Sequence, residues 1–322
     1  MIRFILRRLL IVPLALLLVH FLGFTYALVA QRIQASRNPF VAPTFSAEPT
    51  PLLATYFSYF QEMLHGQFGT LPAGRGGIVS VVLEASLASL GLLAIAFTIS
   101  LVLGLALGLY AVRTRPPGSA SWLIPISTVG LAMPGFYVGI LLVAAMIFYT
   151  LRTFNRPPLP FDGFGWDRHL ILPVFALSLR PTLQLAQTTS RLLGEELKRR
   201  YVTAERSLGY SWQRIRWRTA LRNVLVPIIF TTAGSFRLML GELVLIELLF
   251  NWPGIGRLFA LTLIPPLTSA GNAGVFFLNP PVLALLLTIL AFLFLLADLI
   301  ASLLARWVDP RLDRVGGEVA HA

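Results

Sequence analysis

Pro281-Val-Leu-Ala-Leu-Leu-Leu-Thr-Ile-Leu-Ala-Phe-Leu-Phe-Leu-Leu-Ala297 carries no ionisable side chain, and beyond Asp298 the apolar run continues to Ala305. At ~1.5 Å per residue, a helix of this length crosses the ~30 Å hydrocarbon core of a bilayer. Five more stretches have comparable length and polarity, at about 9–30, 86–112, 122–150, 170–190 and 225–250. The fourth is the most polar, with Arg180, Pro181, Gln184 and Gln187 inside it. The expected fold is therefore all-α, with six transmembrane helices, because a lipid-exposed backbone must satisfy its own hydrogen bonds.

Composition agrees. Hydrophobic residues make up 56% of the 322 and charged residues only 12%, with a mean hydropathy of +0.77. Cys 0 removes thiolate chemistry, and His20, His65, His169 and His321 are too scattered to suggest a metal site. Lys198 is the sole lysine and follows no glycine-rich loop, so no ATP-binding motif is present and no cofactor is expected in this chain.

The net charge of +12 first raises nucleic acid as a partner, but the positions of the cations answer it. With the N-terminus in the cytoplasm, 17 of the 26 cations fall on the cytoplasmic side, 7 on the other, and Arg180 and Arg237 are embedded. That is the positive-inside pattern, so membrane lipid and not nucleic acid is the partner expected, with both termini cytoplasmic. The first apolar core is too long for a cleaved signal, whose core is roughly 7–15 residues, and is read as an anchor helix. The expected layout is an anchor at 1–30, an extracytoplasmic loop region at 31–85, a core at 86–305 and a tail at 306–322. In the loop region Pro39, Pro43, Pro49 and Pro51 oppose continuous helix, and Phe57, Tyr59 and Phe60 are expected to be exposed for a partner.

Residues 191–226 form the most informative polar segment. Leu192, Leu193, Leu197 and Tyr201 recur at helical spacing; Gly209 can end a helix in the left-handed conformation and Ser211 can cap the next. Ile215 and the band Arg214, Arg216, Arg218 and Arg222 follow. A rigid hairpin of this kind can take a push from a partner protein, or can lie on anionic lipid as a basic amphipathic helix. Physical chemistry alone leaves both open.

The run Tyr201-Val-Thr-Ala-Glu-Arg-Ser-Leu-Gly209, followed by Thr219-Ala-Leu-Arg-Asn-Val-Leu-Val-Pro227, resembles the cytoplasmic signature loop of binding-protein-dependent ABC permeases. The 18-residue step from Gly209 to Pro227 is similar to the dipeptide, oligopeptide and nickel branch. Met133-Pro-Gly-Phe136, His169-Leu-Ile-Leu-Pro173, Glu247-Leu-Leu-Phe-Asn-Trp-Pro-Gly-Ile-Gly-Arg257 and Asp309-Pro-Arg311 extend the resemblance along the chain. It implies a permease subunit in the bacterial or archaeal cytoplasmic membrane, partnered by a second homologous permease, two ATP-binding subunits that hold ATP and Mg, and an extracytoplasmic solute-binding protein. It also implies that Tyr201, Ala204, Glu205, Gly209 and Ser211 belong to the loop that contacts the ATPase. Glu205 stands where the family commonly has a small residue and Arg200 where an acidic one is common, and Ser302 replaces a common acid.

Arg180, Arg237, Glu242, Glu247 and Asp298 lie within or at the edges of the spans, where an unpaired charge costs on the order of 2.5–3.5 kcal/mol. They either line a translocation path or pair between spans, and pairing is the preferred expectation. Gly104 and Gly108 permit close helix approach, read first as packing within the chain. A secondary transporter or channel working without ATPase partners, and a membrane anchor without transport, are the rival classes.

Overall fold

A computed structural model describes residues 2–37, 51–71, 77–154, 156–265 and 276–309. Pro39, Pro43, Pro49, the stretch 266–275 and the tail from 310 lie outside the described residues. Among the described residues the α-helices are α1 (Ile2–Arg37), α2 (Leu52–Leu64), α3 (Ile78–Tyr110), α4 (Leu123–Ala132), α5 (Gly135–Thr153), α6 (Ile171–Glu196), α7 (Arg200–Ser207), α8 (Trp212–Arg214), α9 (Leu221–Leu249), α10 (Ile255–Leu263) and α11 (Pro280–Val308). A π-helical turn, Ile215–Ala220, joins α8 to α9, and a short hairpin, β1 (Val112–Thr114) with β2 (Pro117–Ser119), follows α3. Among the described residues six helical stretches are long and apolar enough to cross a membrane: Leu10–Ser36, Ile78–Tyr110, Gly135–Thr153, Arg168–Glu196, Trp212–Leu249 and Pro280–Val308.

Two stretches differ from the sequence expectation. The stretch 122–150 is two helices, because Met133 is extended (ψ 117°) and Pro134, lacking an N–H, starts a new helix as its N-cap. The region 31–85 begins inside α1, which runs on to Arg37, and holds a helix, α2, which begins directly after Pro51, while the second span starts at Ile78.

The chain divides into two compact units, Met1–Gly91 with Asn251–Leu295 and Leu92–Phe250 with Leu296–Ala322. In the first, α2 lies against α1 through an aromatic cluster. Tyr59 stacks on Phe24 with centroids 4.8 Å apart, Phe21 meets Tyr56 edge-on at 5.0 Å, and His20 Nδ1 hydrogen-bonds the Tyr56 hydroxyl at 3.1 Å. Tyr59 is thus only 3% exposed, contrary to the expectation for it, while Phe57 is 60% exposed. The ring turns inward because stacking on Phe24 and His20 buries more apolar area than solvent exposure would. The turn before α10 is hooked onto α3: the buried Trp252 Nε1 donates to the Ala88 carbonyl at 3.1 Å, and Ile255 N donates to Ser89 Oγ at 2.8 Å.

In the second unit α3 and α6 approach closely. A Cβ on Gly104 would come within 2.8 Å of Leu185 Cβ, and one on Gly108 within 2.8 Å of Thr189 Cβ and 2.9 Å of the Ala186 carbonyl oxygen. The Gly-x-x-x-Gly spacing therefore serves packing inside the chain. Ser190 Oγ donates to the Ala111 carbonyl at 3.2 Å and, with Val112 in the core around Leu193, holds the hairpin at the C-terminal end of α6.

Candidate functional site

At that end of α6 a small apolar core fastens the polar segment to the spans. Leu193, Leu197, Val202, Ile215, Ala220 and Val224 are buried together, so the segment projects from a fixed base. Above the apolar layer a carboxylate ties three elements. Tyr201 OH donates to Glu196 Oε1 at 3.0 Å and Asn223 Nδ2 donates to the same oxygen at 2.9 Å, linking α6, α7 and α9. Burial, and then the bond to Glu196, push the Tyr201 phenol above its ordinary pKa.

α7 ends in a Schellman motif. Gly209 is left-handed (φ 85°), Gly209 N donates to the Arg206 carbonyl at 3.0 Å, and Tyr210 N donates to the Glu205 carbonyl at 3.1 Å. The chain then turns into α8, where Ser211 Oγ accepts from Arg214 N at 3.3 Å as its cap. Charged side chains clamp the turn: Arg206 donates to the Tyr210 carbonyl and the Arg214 guanidinium lies 4.3 Å from the Tyr210 ring centroid.

The five loop residues named from the sequence separate into two sets. Ala204, Gly209 and Ser211 are exposed, beside Leu208 at 73% exposure, and form the outer rim. Tyr201 and Glu205 are half-buried and face the protein. Glu205 Oε1 accepts from Thr219 Oγ1 at 3.1 Å, bridging α7 to the π-helical turn, and its Oε2 is buried without a partner. Thr219 and Asn223 stand in the run that carries the family resemblance but, like Glu196, have no role assigned from the sequence; nothing local distinguishes a polar side chain that closes such a bridge.

The embedded charges form two interhelix pairs. Arg180 Nη1 lies 2.9 Å from Glu242 Oε1, joining α6 to α9, with side chains 31% and 11% exposed. Arg237 Nη1 lies 2.8 Å from Asp298 Oδ1, joining α9 to α11, with 42% and 40% exposed. Glu247 is fully buried. The helix break at Met133-Pro134 brings the first turn of α5 over Glu242: a Cβ on Gly135 would collide with the Glu242 carboxylate. An anion beside the first turn of a helix is favoured by the unpaired N–H groups there. Nearby, Ser235 Oγ and Gln184 Oε1 are 3.5 Å apart. Charges placed this way tie α6, α9 and α11 to one another.

Residues 100–314 match the family described as "Binding-protein-dependent transport system inner membrane component". The chain is 28% identical over 289 residues to the oligopeptide transport system permease protein AppB of Bacillus subtilis, covering 87% of this chain and 86% of that protein. It is 30% identical over 217 residues to the oligopeptide transport system permease protein OppB of Salmonella typhimurium, covering 65% and 67%. It is also 27% identical over 282 residues to the putrescine export system permease protein SapB of Escherichia coli K12, covering 80% and 84%.

Proposed function

The chain belongs to the family of binding-protein-dependent transport system inner membrane components, and from that membership we propose that it is the membrane-spanning permease subunit of an ATP-driven importer of peptides or similar small solutes. Separate ATPase subunits hold the ATP and Mg. Two of them, a second homologous permease and an extracytoplasmic solute-binding protein complete the complex, with both termini of this chain in the cytoplasm. Relatives named for oligopeptide transport support peptides or similar small solutes as the class. Import is favoured by the family's dependence on a binding protein.

One observation carries the assignment of the energy input. The rim Ala204, Leu208, Gly209 and Ser211 is exposed, yet it stands on a buried apolar base and a three-helix carboxylate bridge. Such a rim moves only if α6 and α9 move with it, which is what a mechanical contact with an ATPase requires. The Arg180–Glu242 and Arg237–Asp298 pairs then tie α6, α9 and α11 so that the displacement is shared. Their role in this reading is to couple spans, with the polar path running beside them.

Proteoliposomes holding this chain, its permease partner and the binding protein test the proposal. Solute uptake should require ATP together with added ATPase subunits. Uptake by the purified chain alone, driven by an ion gradient, would identify a secondary transporter instead.

A further inference from the structure

Helix α2 carries an apolar stripe that its packing against α1 leaves largely exposed, with only Phe60, stacked on Tyr56, drawn partly into the aromatic cluster. Leu53, Phe57 and Leu64 are exposed and Phe60 is half-exposed, at helical spacing i, i+4, i+7 and i+11. The buried Tyr56 and Tyr59 form the neighbouring face that holds α2 to α1. Ser58 and Glu62, both exposed, lie about 140° and 180° around the helix from Leu53. Three faces result: one on protein, one apolar and bare, one polar.

The bare face continues onto an exposed apolar face of α1. Leu22, Tyr26, Val29 and Ile33 are exposed along one face of α1, inside the stretch Leu10–Ser36 that is long and apolar enough to span a membrane. In a spanning helix such a face meets acyl chains. Between this face and Leu52 and Leu53 at the start of α2 runs an apolar groove of about 590 Å³. Water on the α2 side would have to share that groove with lipid on the α1 side.

We propose that α2 is a membrane-surface helix: Leu53, Phe57, Phe60 and Leu64 insert among the phospholipid acyl chains of the leaflet into which the C-terminal end of α1 emerges, and the groove seats part of one chain. The polar face, with Glu62 as the only charged side chain of α2, points to the aqueous side. The surface that the sequence suggested for a protein partner at Phe57 and Phe60 is then a lipid surface. The aromatic cluster around Tyr56 and Tyr59 fixes the angle at which the helix enters the interface.

The chain has no cysteine, so nitroxide labels can be placed singly on the full-length protein at Leu53→Cys, Phe57→Cys, Leu64→Cys, Ser58→Cys and Glu62→Cys. In nanodiscs of phosphatidylethanolamine and phosphatidylglycerol, labels at 53, 57 and 64 should collide severalfold more with oxygen than with a water-soluble nickel chelate, and labels at 58 and 62 should show the reverse. Three independent stripe positions keep the test alive if one variant does not fold. Preference for the chelate at all five positions would overturn the proposal, because the stripe would be in water. Protection from both reagents at 53, 57 and 64 would also overturn it, since protein would then cover the stripe.

Discussion

Arg180 Nη1 and Glu242 Oε1 stand 2.9 Å apart across 62 residues of sequence, with the first turn of α5 closing over the carboxylate at Gly135. Glu242 is 11% exposed and so depends on its partner more than the 31%-exposed Arg180 does. Removing either member of a largely buried pair leaves a charge without compensation, whereas removing both leaves none.

Arg180→Ala is therefore expected to destabilise the chain by about 3 kcal/mol, the low end for a buried pair because the arginine is partly exposed. The double variant Arg180→Met with Glu242→Leu should recover most of that loss. Thermal unfolding midpoints of both singles and the double in detergent check this; additive losses would mean that the two charges act independently. Solute preference should stay as it is in any Arg180→Ala protein that still assembles.

Gly108→Val should lower the folded yield of the isolated chain. The added Cβ meets Thr189 Cβ and the Ala186 carbonyl, so α3 and α6 must separate, at about 1–3 kcal/mol for an overpacked contact. Size-exclusion chromatography of the single subunit is the measurement. A well-folded, stable Gly108→Val subunit that fails only to pair with a second permease would place this glycine at a subunit interface.

Gly209→Val should leave the spans inserted but abolish ATP-dependent uptake. A side chain with a Cβ costs about 1–2 kcal/mol in the left-handed conformation that Gly209 holds, and a β-branched one more. The cost falls on the exposed turn, where no packed neighbour resists a change of path. Uptake and ATPase stimulation in reconstituted vesicles report the result, and normal coupling would remove the turn from the energy-input contact.

The Tyr201 phenol should titrate above the ordinary tyrosine value of about 10. A raised value in the folded state means that its contribution to stability is complete below pH ~10 and disappears as pH climbs through the folded value. The difference in ultraviolet titration between the wild type and Tyr201→Phe isolates this group. A midpoint at or below 10 would show that the bond to Glu196 is not holding α7 in place.

Hydrophobic length and local stereochemistry were legible from the chain. The six spans follow from composition, because transfer into lipid depends on which side chains are present over ~20 residues and hardly on their neighbours in space. The Gly209 and Ser211 punctuation was equally readable, since a left-handed C′ residue and an N-cap oxygen act within a few residues of themselves. Prolines were not readable in this way. Pro13, Pro181 and Pro227 remain inside α1, α6 and α9, whereas Pro134 separates α4 from α5.

Which way Tyr59 turns, that Glu205 faces inward to Thr219, that Glu196 joins three helices and which acid each embedded arginine meets were decided only by the tertiary structure. Each depends on a partner 5 to 62 residues away whose approach is set by helix packing, not by spacing along one helix. The sequence determined that the embedded charges had to be compensated, because an isolated charge in hydrocarbon is too costly to keep. It could not determine the pairing, because both arginines had acids within reach and only the packing of α6, α9 and α11 in the second unit gives Glu242 to Arg180 and Asp298 to Arg237.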